Sequence, residues 1–484
     1  MAELIKKIAG NKIFVYLGSR YATYALQFVI SIFIASRLGP YYLGIYGFIS
    51  LILNYLGQLN FGVPHSLNVL LVHNKDDKYR CDQLIGNSLI IYSVVGIVFL
   101  VAYGVIEIFE VKLSDKYPIE GYLFFIVITA ILTYYNYVMT MVLRFRNKVN
   151  QLAIAQSINV VLQLLVVFLF EKEELVLALV ICLLASSIFT IILASISKVL
   201  PSIRSIVPSK QLIHSLLSKG FYLFLYNSCF FFILLSIRTI ISANYSVEDF
   251  GLFTFSFTMA NAALLLMESL MSIVFPKVID LLSTKDYTQI KMIIEKIRVA
   301  FISSSHFVIY IAMALFPLLI IFMPKYEGSV TSLNLVALAI LMNTNSYGYS
   351  TLLISQNKEK ISAIISVISL ILNIALALIL TNVIKVGFSY VILATLLTYL
   401  YLSFATVWEG NKIMGIREFK ESLRNFFPVR LLVPYMIALL ISILELEYLI
   451  WIPLVVYCTV NFNDLKELLN MARKLANNPN IADV

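Results

Sequence analysis

Apolar runs long enough to cross a lipid bilayer recur along almost the whole 484-residue chain. A helix of about 20 residues spans the hydrocarbon core, and these runs lack the alternation of polar and apolar positions that is typical of barrel strands. Backbone groups in hydrocarbon must be hydrogen-bonded within their own segment, so the runs are predicted to be helices. The pattern predicts an all-α polytopic membrane protein.

The apolar runs predict about fourteen transmembrane helices, of which the last two are short. The predicted spans are residues 13–36, 43–72, 85–106, 119–143, 151–170, 175–197, 220–241, 251–276, 299–323, 331–355, 361–381, 387–408, 431–444 and 449–461. The first run has no small-residue cleavage pattern, so it is interpreted as a retained helix and not as a signal peptide.

The distribution of Lys and Arg predicts the orientation of the helices, because short cytoplasmic loops are enriched in these residues. The termini and the loops after even-numbered spans carry 28 of the 36 basic residues, and the loops after odd-numbered spans carry 6. Both termini are therefore predicted to be cytoplasmic. The same bias, with anionic lipid at the inner leaflet, accounts for the net charge of +9 without a nucleic-acid partner. The composition, 60% hydrophobic and 13% charged, agrees with this class.

Two short stretches resemble each other at a distance of 207 residues. LGPYYLGIYGF runs from Leu38 to Phe48 and YSVEDFGLFTF from Tyr245 to Phe255, and Gly44 matches Gly251. Each stretch follows an outward-running helix and opens the next one. Because the two copies are six spans apart, the halves are predicted to be parallel repeats about an axis along the membrane normal.

The repeat predicts an N-terminal six-helix lobe at residues 1–198, a cytoplasmic linker at 199–219 and a C-terminal six-helix lobe at 220–409. Residues 410–484 are predicted to form an amphipathic loop, two extra C-terminal helices and a cytoplasmic tail. The stretch from Asp286 to Arg298 has isoleucines at helical spacing and is predicted to lie along the membrane surface.

Polar side chains recur at helical spacing within several spans. Each stripe has two interpretations, hydrogen bonding between helices and contact with a polar ligand. The stripe from Ser362 to Asn373 in span eleven favours the first. Stripes in both halves that include long polar side chains favour a shared, hydrated central cavity. Its predicted uncharged lining consists of Tyr24, Gln27, Asn54, Gln58, Asn227, Asn261 and Asn345.

Two further features concern spans two and four. Pro64 is predicted to kink span two, because proline lacks a backbone N–H. Tyr134, Tyr135 and Tyr137 in span four are weaker candidates for stacking on sugar rings, and packing is the favoured interpretation.

Three charged residues, Arg20, Arg238 and Glu268, are predicted to line the same cavity. An Arg that faces lipid near the bilayer centre costs roughly 2.5 to 3.5 kcal/mol, so each Arg should face a partner, water or an anionic ligand. A structural Arg–Glu pair is the competing explanation, and Arg238 has the alternative of extending to the outer interface. One Glu neutralises only one Arg, so the cavity is predicted to suit an anion.

Other chemistry is not indicated by the sequence. The four cysteines show no CxxC spacing and the four histidines no paired-ligand motif, so no metal site or disulfide framework is predicted. No phosphate loop or dinucleotide fingerprint indicates a cofactor. The predicted outer loops are too short to hold a substantial catalytic site, and the protein is predicted not to be an enzyme.

The stretch SRLGPYYLGIYGFISLILNYLGQLNFGV, Ser36 to Val63, follows a polar first helix. It resembles the start of the Wzx-type polysaccharide flippases of the multidrug/oligosaccharidyl-lipid/polysaccharide (MOP) exporter superfamily. The turn with Gly39, Pro40 and Gly44 and the later Gly62 carry most of the similarity.

The resemblance implies two six-helix lobes around a V-shaped cavity, alternating access, and a place in the bacterial inner membrane. It implies translocation of undecaprenyl pyrophosphate-linked oligosaccharide units for a surface polysaccharide such as O-antigen. The implied partners are the lipid-linked oligosaccharide, membrane lipids and the polysaccharide polymerase machinery. Arg20 matches a basic residue that recurs in the first helix of lipid-flipping members.

Several alternatives stay open on the sequence. A flippase for the peptidoglycan precursor lipid II fits almost as well. A cation-coupled multidrug exporter of the same superfamily fits less well, because the predicted cavity is positive. A membrane glycosyltransferase or polymerase would be expected to have a larger outer loop with catalytic acids. A purely structural protein leaves Arg20 and the polar stripes unexplained.

Overall fold

The computed structural model describes residues 12–219, 221–284 and 286–477, with side chains from residue 21 onward except at 203, 223, 264–277, 279–280, 469 and 471–477. Helices dominate this part of the chain and no β-strand occurs in it, so the all-α prediction is confirmed. The chain divides into two compact units, Met1–Ser228 and Cys229–Val484. The lobe and linker boundaries drawn from the sequence stay a prediction.

The first unit contains seven of the described helices and the beginning of an eighth. They are α1 (Lys12–Gln58), α2 (Val63–His73), α3 (Lys78–Ile108), α4 (Leu123–Phe145), α5 (Val149–Val166), α6 (Lys172–Ile196), α7 (Lys210–Ser218) and α8 (Phe221–Asn244), within which the unit boundary falls.

The second unit contains the rest of α8 and eleven further helices in the described residues. They are α9 (Val247–Leu282), α10 (Tyr287–Arg298), α11 (Ser304–Phe322), α12 (Val330–Thr344), α13 (Tyr349–Ser355), α14 (Glu359–Leu378), α15 (Leu393–Ile413), α16 (Phe419–Phe426), α17 (Val429–Ile443), α18 (Ile452–Val460) and α19 (Phe462–Asn477).

Each of the fourteen predicted spans falls on one of these helices or on two in succession. Within the described ranges, nine helices are long and apolar enough to cross a membrane, or up to eleven if each of two bent pairs is one span. The first two predicted spans are joined in α1, and the tenth is divided into the short helices α12 and α13. The multi-pass class is confirmed, and the layout of fourteen spans stays a prediction.

The kink in α1 explains how two spans form one continuous helix. Gly39 has non-helical dihedrals, with φ 69° and ψ 171°, in a region that glycine adopts readily because it lacks a Cβ. Pro40, which has no N–H to donate, begins the helical stretch after the kink. Gly44 is the fifth residue of that stretch, and Gly251 is the fifth residue of α9. The two glycines that matched in the sequence therefore open helices in the same way.

One helix lies at the centre of each unit. In the first unit, α4 packs against α1, α3 and α6; in the second, α12 packs against α9, α11 and α15. These central helices begin 207 residues apart. The turns that follow the corresponding spans also match, since Asn147 and Asn357 both have positive φ, 60° and 55°. Both units are therefore organised around equivalent spans.

An aromatic contact also occurs once in each unit. Phe48 stacks on Tyr117 with ring centroids 4.0 Å apart, and Phe255 packs on Tyr326 at 4.4 Å. Both tyrosines are buried, and each lies in the loop before the central helix. These paired features support the predicted repeat. Superposition of the six-helix halves stays a prediction.

Candidate functional site

Predicted span two is interrupted in the middle, between α1 and α2, at residues 59–62. Phe61 and Gly62 both have positive φ, 51° and 72°. Asn60 stabilises this break, because its Nδ2 donates to the carbonyl of Gly57 at 3.1 Å and its Oδ1 accepts from the N–H of Gly62 at 3.0 Å. Pro64 lies in the first turn of α2, where its missing N–H costs no intrahelical bond. Span two is therefore interrupted as predicted, but the break precedes Pro64, and Asn60, Phe61 and Gly62 form it.

Two buried tyrosines from neighbouring helices satisfy carbonyl groups at the break. The Tyr134 hydroxyl donates to the carbonyl of Leu56, and the Tyr92 hydroxyl donates to the carbonyl of Asn60 at 3.3 Å. The two rings stack with centroids 5.0 Å apart. Broken membrane helices require such partners, since no water is available in hydrocarbon. Tyr134 is fully buried and supports the break, in line with the packing interpretation of span four.

The beginning of α8 lies directly against this break, within the first unit. A Cβ on Gly62 would come within 2.8 Å of the Phe224 Cβ, so no larger residue fits without movement. Asn227 is three residues after Phe224, on the adjacent turn of α8. Gln58 is the last residue of α1 before the break. The contact therefore brings together the helical segments that carry Gln58 and Asn227.

Four of the predicted lining residues have amide groups with no hydrogen bond to another described residue. Gln27 is exposed, and Asn54, Gln58 and Asn227 are half-buried. All four belong to the first unit. Asn54 and Gln58 are one helical turn apart on α1, on the stretch that ends at the break. Neutral amides that can donate and accept suit a ligand rich in hydroxyl groups.

Other predicted lining residues are engaged inside the protein. Asn261 donates to the carbonyl of Phe257 in its own helix at 2.7 Å, and Asn345 is completely buried at the break between α12 and α13. Tyr24 is half-buried and has an interaction within the protein. Asn261 and Asn345 belong to the second unit, and the role of all three residues in binding stays a prediction.

Of the three predicted charged residues, the structure describes the side chain of Arg238 alone. Arg238 is 4% exposed, and its guanidinium lies 5.1 Å from the ring centroid of Phe257 and 5.8 Å from that of Phe250. Because it is buried, a ligand would reach it only after local rearrangement, and its role in binding stays a prediction. The side chains of Arg20 and Glu268 lie outside the described residues, so the proposed pair between them stays untested.

The polar stripe of span eleven connects helices, as its spacing predicted. Asn373 on α14 donates to the carbonyl of Ile233 at 2.8 Å and to Ser236 Oγ at 2.9 Å, both on α8. Its Oδ1 accepts from the Thr395 hydroxyl of α15 at 3.0 Å. In the first unit, Thr23 and Ser157 form a similar bond at 2.8 Å. These residues hold helices together and are not available to a ligand.

Sequence reasoning missed the residues that stabilise the break in span two. Asn60 follows the polar stripe directly, and the neighbouring glycine and proline indicated an interruption. The partners Tyr92 and Tyr134 are separated from the break by more than 30 residues. No local pattern identifies them.

The fold is shared with known membrane transporters. An inward-facing multidrug resistance MATE family transporter of the MOP superfamily superposes with a TM-score of 0.66, covering 81% of this chain and 94% of that one at 13% identity. An outward-facing one gives 0.58, with 83% and 94% coverage at 13% identity. A MATE in complex with MaL6 gives 0.59, with 85% and 96% coverage at 14% identity. The chain has the fold of a MOP-superfamily transporter.

The sequence assigns the chain within this class. A family model described as polysaccharide biosynthesis protein matches residues 9–281, which is more than half of the chain and includes the glycine motif and the break in span two. The protein therefore belongs to the polysaccharide biosynthesis protein family, in agreement with the resemblance found in its sequence. The comparison with curated proteins gives no match.

Proposed function

We propose that this protein is a flippase that moves lipid-linked oligosaccharide units across the bacterial inner membrane for surface polysaccharide assembly. The observation that carries the proposal is the group of uncommitted amides at Asn54, Gln58 and Asn227 beside a break in a membrane helix. Family membership supports the polysaccharide pathway. The undecaprenyl pyrophosphate carrier and alternating access come from the resemblance of the sequence to Wzx-type flippases.

The physical task of such a protein is to lower the cost of moving polar groups through hydrocarbon. An unsatisfied hydroxyl or amide costs roughly 2 to 7 kcal/mol on transfer from water, and an oligosaccharide carries many hydroxyls. Amide side chains replace water by donating to and accepting from these hydroxyls. In this mechanism Arg20 binds the pyrophosphate, the polyprenyl tail remains in lipid, and loose, distributed contacts permit release.

A deletion of the gene in its native host tests the function. Loss of surface polysaccharide together with accumulation of lipid-linked units on the inner leaflet is the expected result. Normal polysaccharide with altered drug resistance would instead support a multidrug exporter, which is the activity named for the similar MATE structures. Lysis with accumulated peptidoglycan precursor would support a lipid II flippase.

The amide group provides a test at the level of side chains. The double substitution Asn54→Ala with Gln58→Ala is expected to reduce export at least tenfold at equal protein levels, because a loss of about 1.4 kcal/mol corresponds to a factor of ten. Asn382→Ala is the matched comparison, since Asn382 is exposed and does not belong to the predicted lining. Equal effects of both changes, or none of the first, would contradict a sugar-binding role for Asn54 and Gln58.

A further inference from the structure

The segment between α6 and α7 is fixed to α3 by two side-chain amides. Gln83 Nε2 donates to the carbonyl of Ser205 at 2.6 Å, and its Oε1 accepts from the N–H of Val207 at 2.9 Å. Asn87 Nδ2 donates to the carbonyl of Val207 at 3.1 Å, and its Oδ1 accepts from the N–H of Ser209 at 2.9 Å. Each amide thus pairs with a backbone donor and a backbone acceptor. The backbone of the segment is therefore hydrogen-bonded to side chains of α3.

A glycine on the same face of α3 permits the close approach. Gly86 lies between the two amides, three residues after Gln83 and one before Asn87, so all three share one helix face. A Cβ at Gly86 would lie 2.6 Å from the Cγ1 and Cγ2 atoms of Ile206. Gln83 and Asn87 are buried, although Val207 is 57% exposed. We call this contact, residues 83–87 with 205–209, the first latch.

The second unit has a corresponding contact made by a different residue. Helix α16 begins 209 residues after α7, so each follows its set of six predicted spans. Arg298, at the end of α10, donates to the carbonyls of Asn425 and Phe426 in α16. It also donates to the carbonyl of Asn345 at the break in span ten, at 2.6 Å. These carbonyls lie at helix C-termini, where a positive charge is favourable. We call this contact the second latch.

We propose that the two latches are positioning devices for transport, and that Gln83, Gly86, Asn87 and Arg298 are positioning residues. In each half, an amphipathic helix follows the sixth predicted span: α7 in the first half and α16 in the second. Each latch holds this helix, or the segment just before it, to the start of the third span of the same half. In the first unit the chain is thereby held as far as α7, so the linker does not act as a free tether. The role in transport rests on the proposed function, whereas the latch itself does not.

The first latch is physically more than a packing contact. Its four hydrogen bonds fix a stretch that has no regular secondary structure from Ile206 to Ser209. Pro208 has no N–H, and the N–H groups of Val207 and Ser209 on either side of it both donate to these amides. An unlatched segment of this length would gain conformational freedom at every residue. The amides therefore fix the position at which α7 begins.

Gly86→Ala tests the first latch. Gly104→Ala is the matched control in the same helix, because no atom lies within 4 Å of a Cβ at Gly104. The added methyl group at Gly86 is expected to raise amide exchange of a peptide covering Val207 and Ser209 at least tenfold and to reduce export at least fivefold at equal protein levels. Gly104→Ala is expected to change neither. Adding Ile206→Ala to Gly86→Ala removes the clashing atoms and should restore both.

Asn87→Ala opens the latch without adding atoms and provides a second measurement if Gly86→Ala does not fold. Unchanged exchange at Val207 and Ser209 in Asn87→Ala would contradict the latch. Raised exchange with normal export would contradict the positioning role of the latch. The same conclusion would follow if Gly86→Ala lost export and the added Ile206→Ala did not restore it. A wild-type protein that exports no oligosaccharide would contradict the proposed function alone, because the exchange measurement requires no substrate.

Discussion

Tyrosine hydroxyls at the break in span two illustrate how single residues permit irregular backbone inside a membrane protein. The end of α1 leaves carbonyl groups without intrahelical partners, and Tyr134 and Tyr92 donate to two carbonyls of this region. Asn60 adds a bond to the carbonyl of Gly57. The carbonyls of Leu56 and Asn60 also accept from the N–H groups of Leu59 and Val63, both at 3.1 Å, so each tyrosine supplies a second donor. The break is therefore held by side chains of neighbouring helices as well as by its own backbone bonds.

Tyr134→Phe should reveal this contribution as a loss of stability. The change removes one hydroxyl and leaves the carbonyl of Leu56 with the Leu59 N–H as its donor, at an expected cost of about 0.5 to 1.5 kcal/mol for the lost hydrogen bond. Thermal unfolding of the purified protein in detergent measures the effect. Tyr135→Phe is the neighbouring control, because its hydroxyl bonds to Ser93 at an exposed position and its loss should have little effect. Equal losses for the two variants would contradict the assignment.

At the level of helices, the sequence predicted most of the features that depend on the length of the apolar runs and on helix-breaking residues. The apolar runs located the helices, and Pro64 indicated an interruption of span two, which the structure has just before it. The sequence did not show which polar stripes bind to neighbouring helices and which keep free amides, because spacing along one helix does not identify the helix opposite. Asn373 and Asn54 have the same side chain, but only Asn373 has helix-to-helix partners among the described residues.

Asn373→Ala should therefore destabilise the second unit. The substitution removes bonds to α8 and α15, and a hydrogen bond between membrane helices contributes about 0.6 kcal/mol on average and at most about 1.7. A decrease of about 1 to 3 kcal/mol in the free energy of unfolding is expected, measured by denaturation in mixed micelles. Asn382→Ala is the control, since Asn382 is exposed near the end of the same span. A wild-type stability for Asn373→Ala would assign the stripe another role.

At the scale of the whole molecule, equivalent features recur at spacings between 207 and 210 residues. They include the central helices, the Phe–Tyr contacts, the Asn turns and the amphipathic helices α7 and α16. Asp77 and Asp286 also cap α3 and α10 in the same way, through side-chain bonds to the first turn. The sequence carried only the glycine motif of this pattern clearly. The Phe–Tyr contacts, the Asn turns and the Asp caps repeat the same residue types, but as single positions far apart in the sequence. The two latches use different side chains for corresponding contacts.

Reporter fusions at four positions test orientation and repeat symmetry together. Gly121 and Ser329 precede the central helices α4 and α12 at equivalent places, and a parallel repeat requires both to lie on the same side of the membrane. The bias of 28 basic residues to 6 predicts that this side is periplasmic. Fusions after Asp77 and Lys210, which begin α3 and α7, are expected to report a cytoplasmic position. Opposite sides for Gly121 and Ser329 would indicate an inverted repeat, and reversal at all four positions would overturn the orientation while leaving the parallel repeat intact.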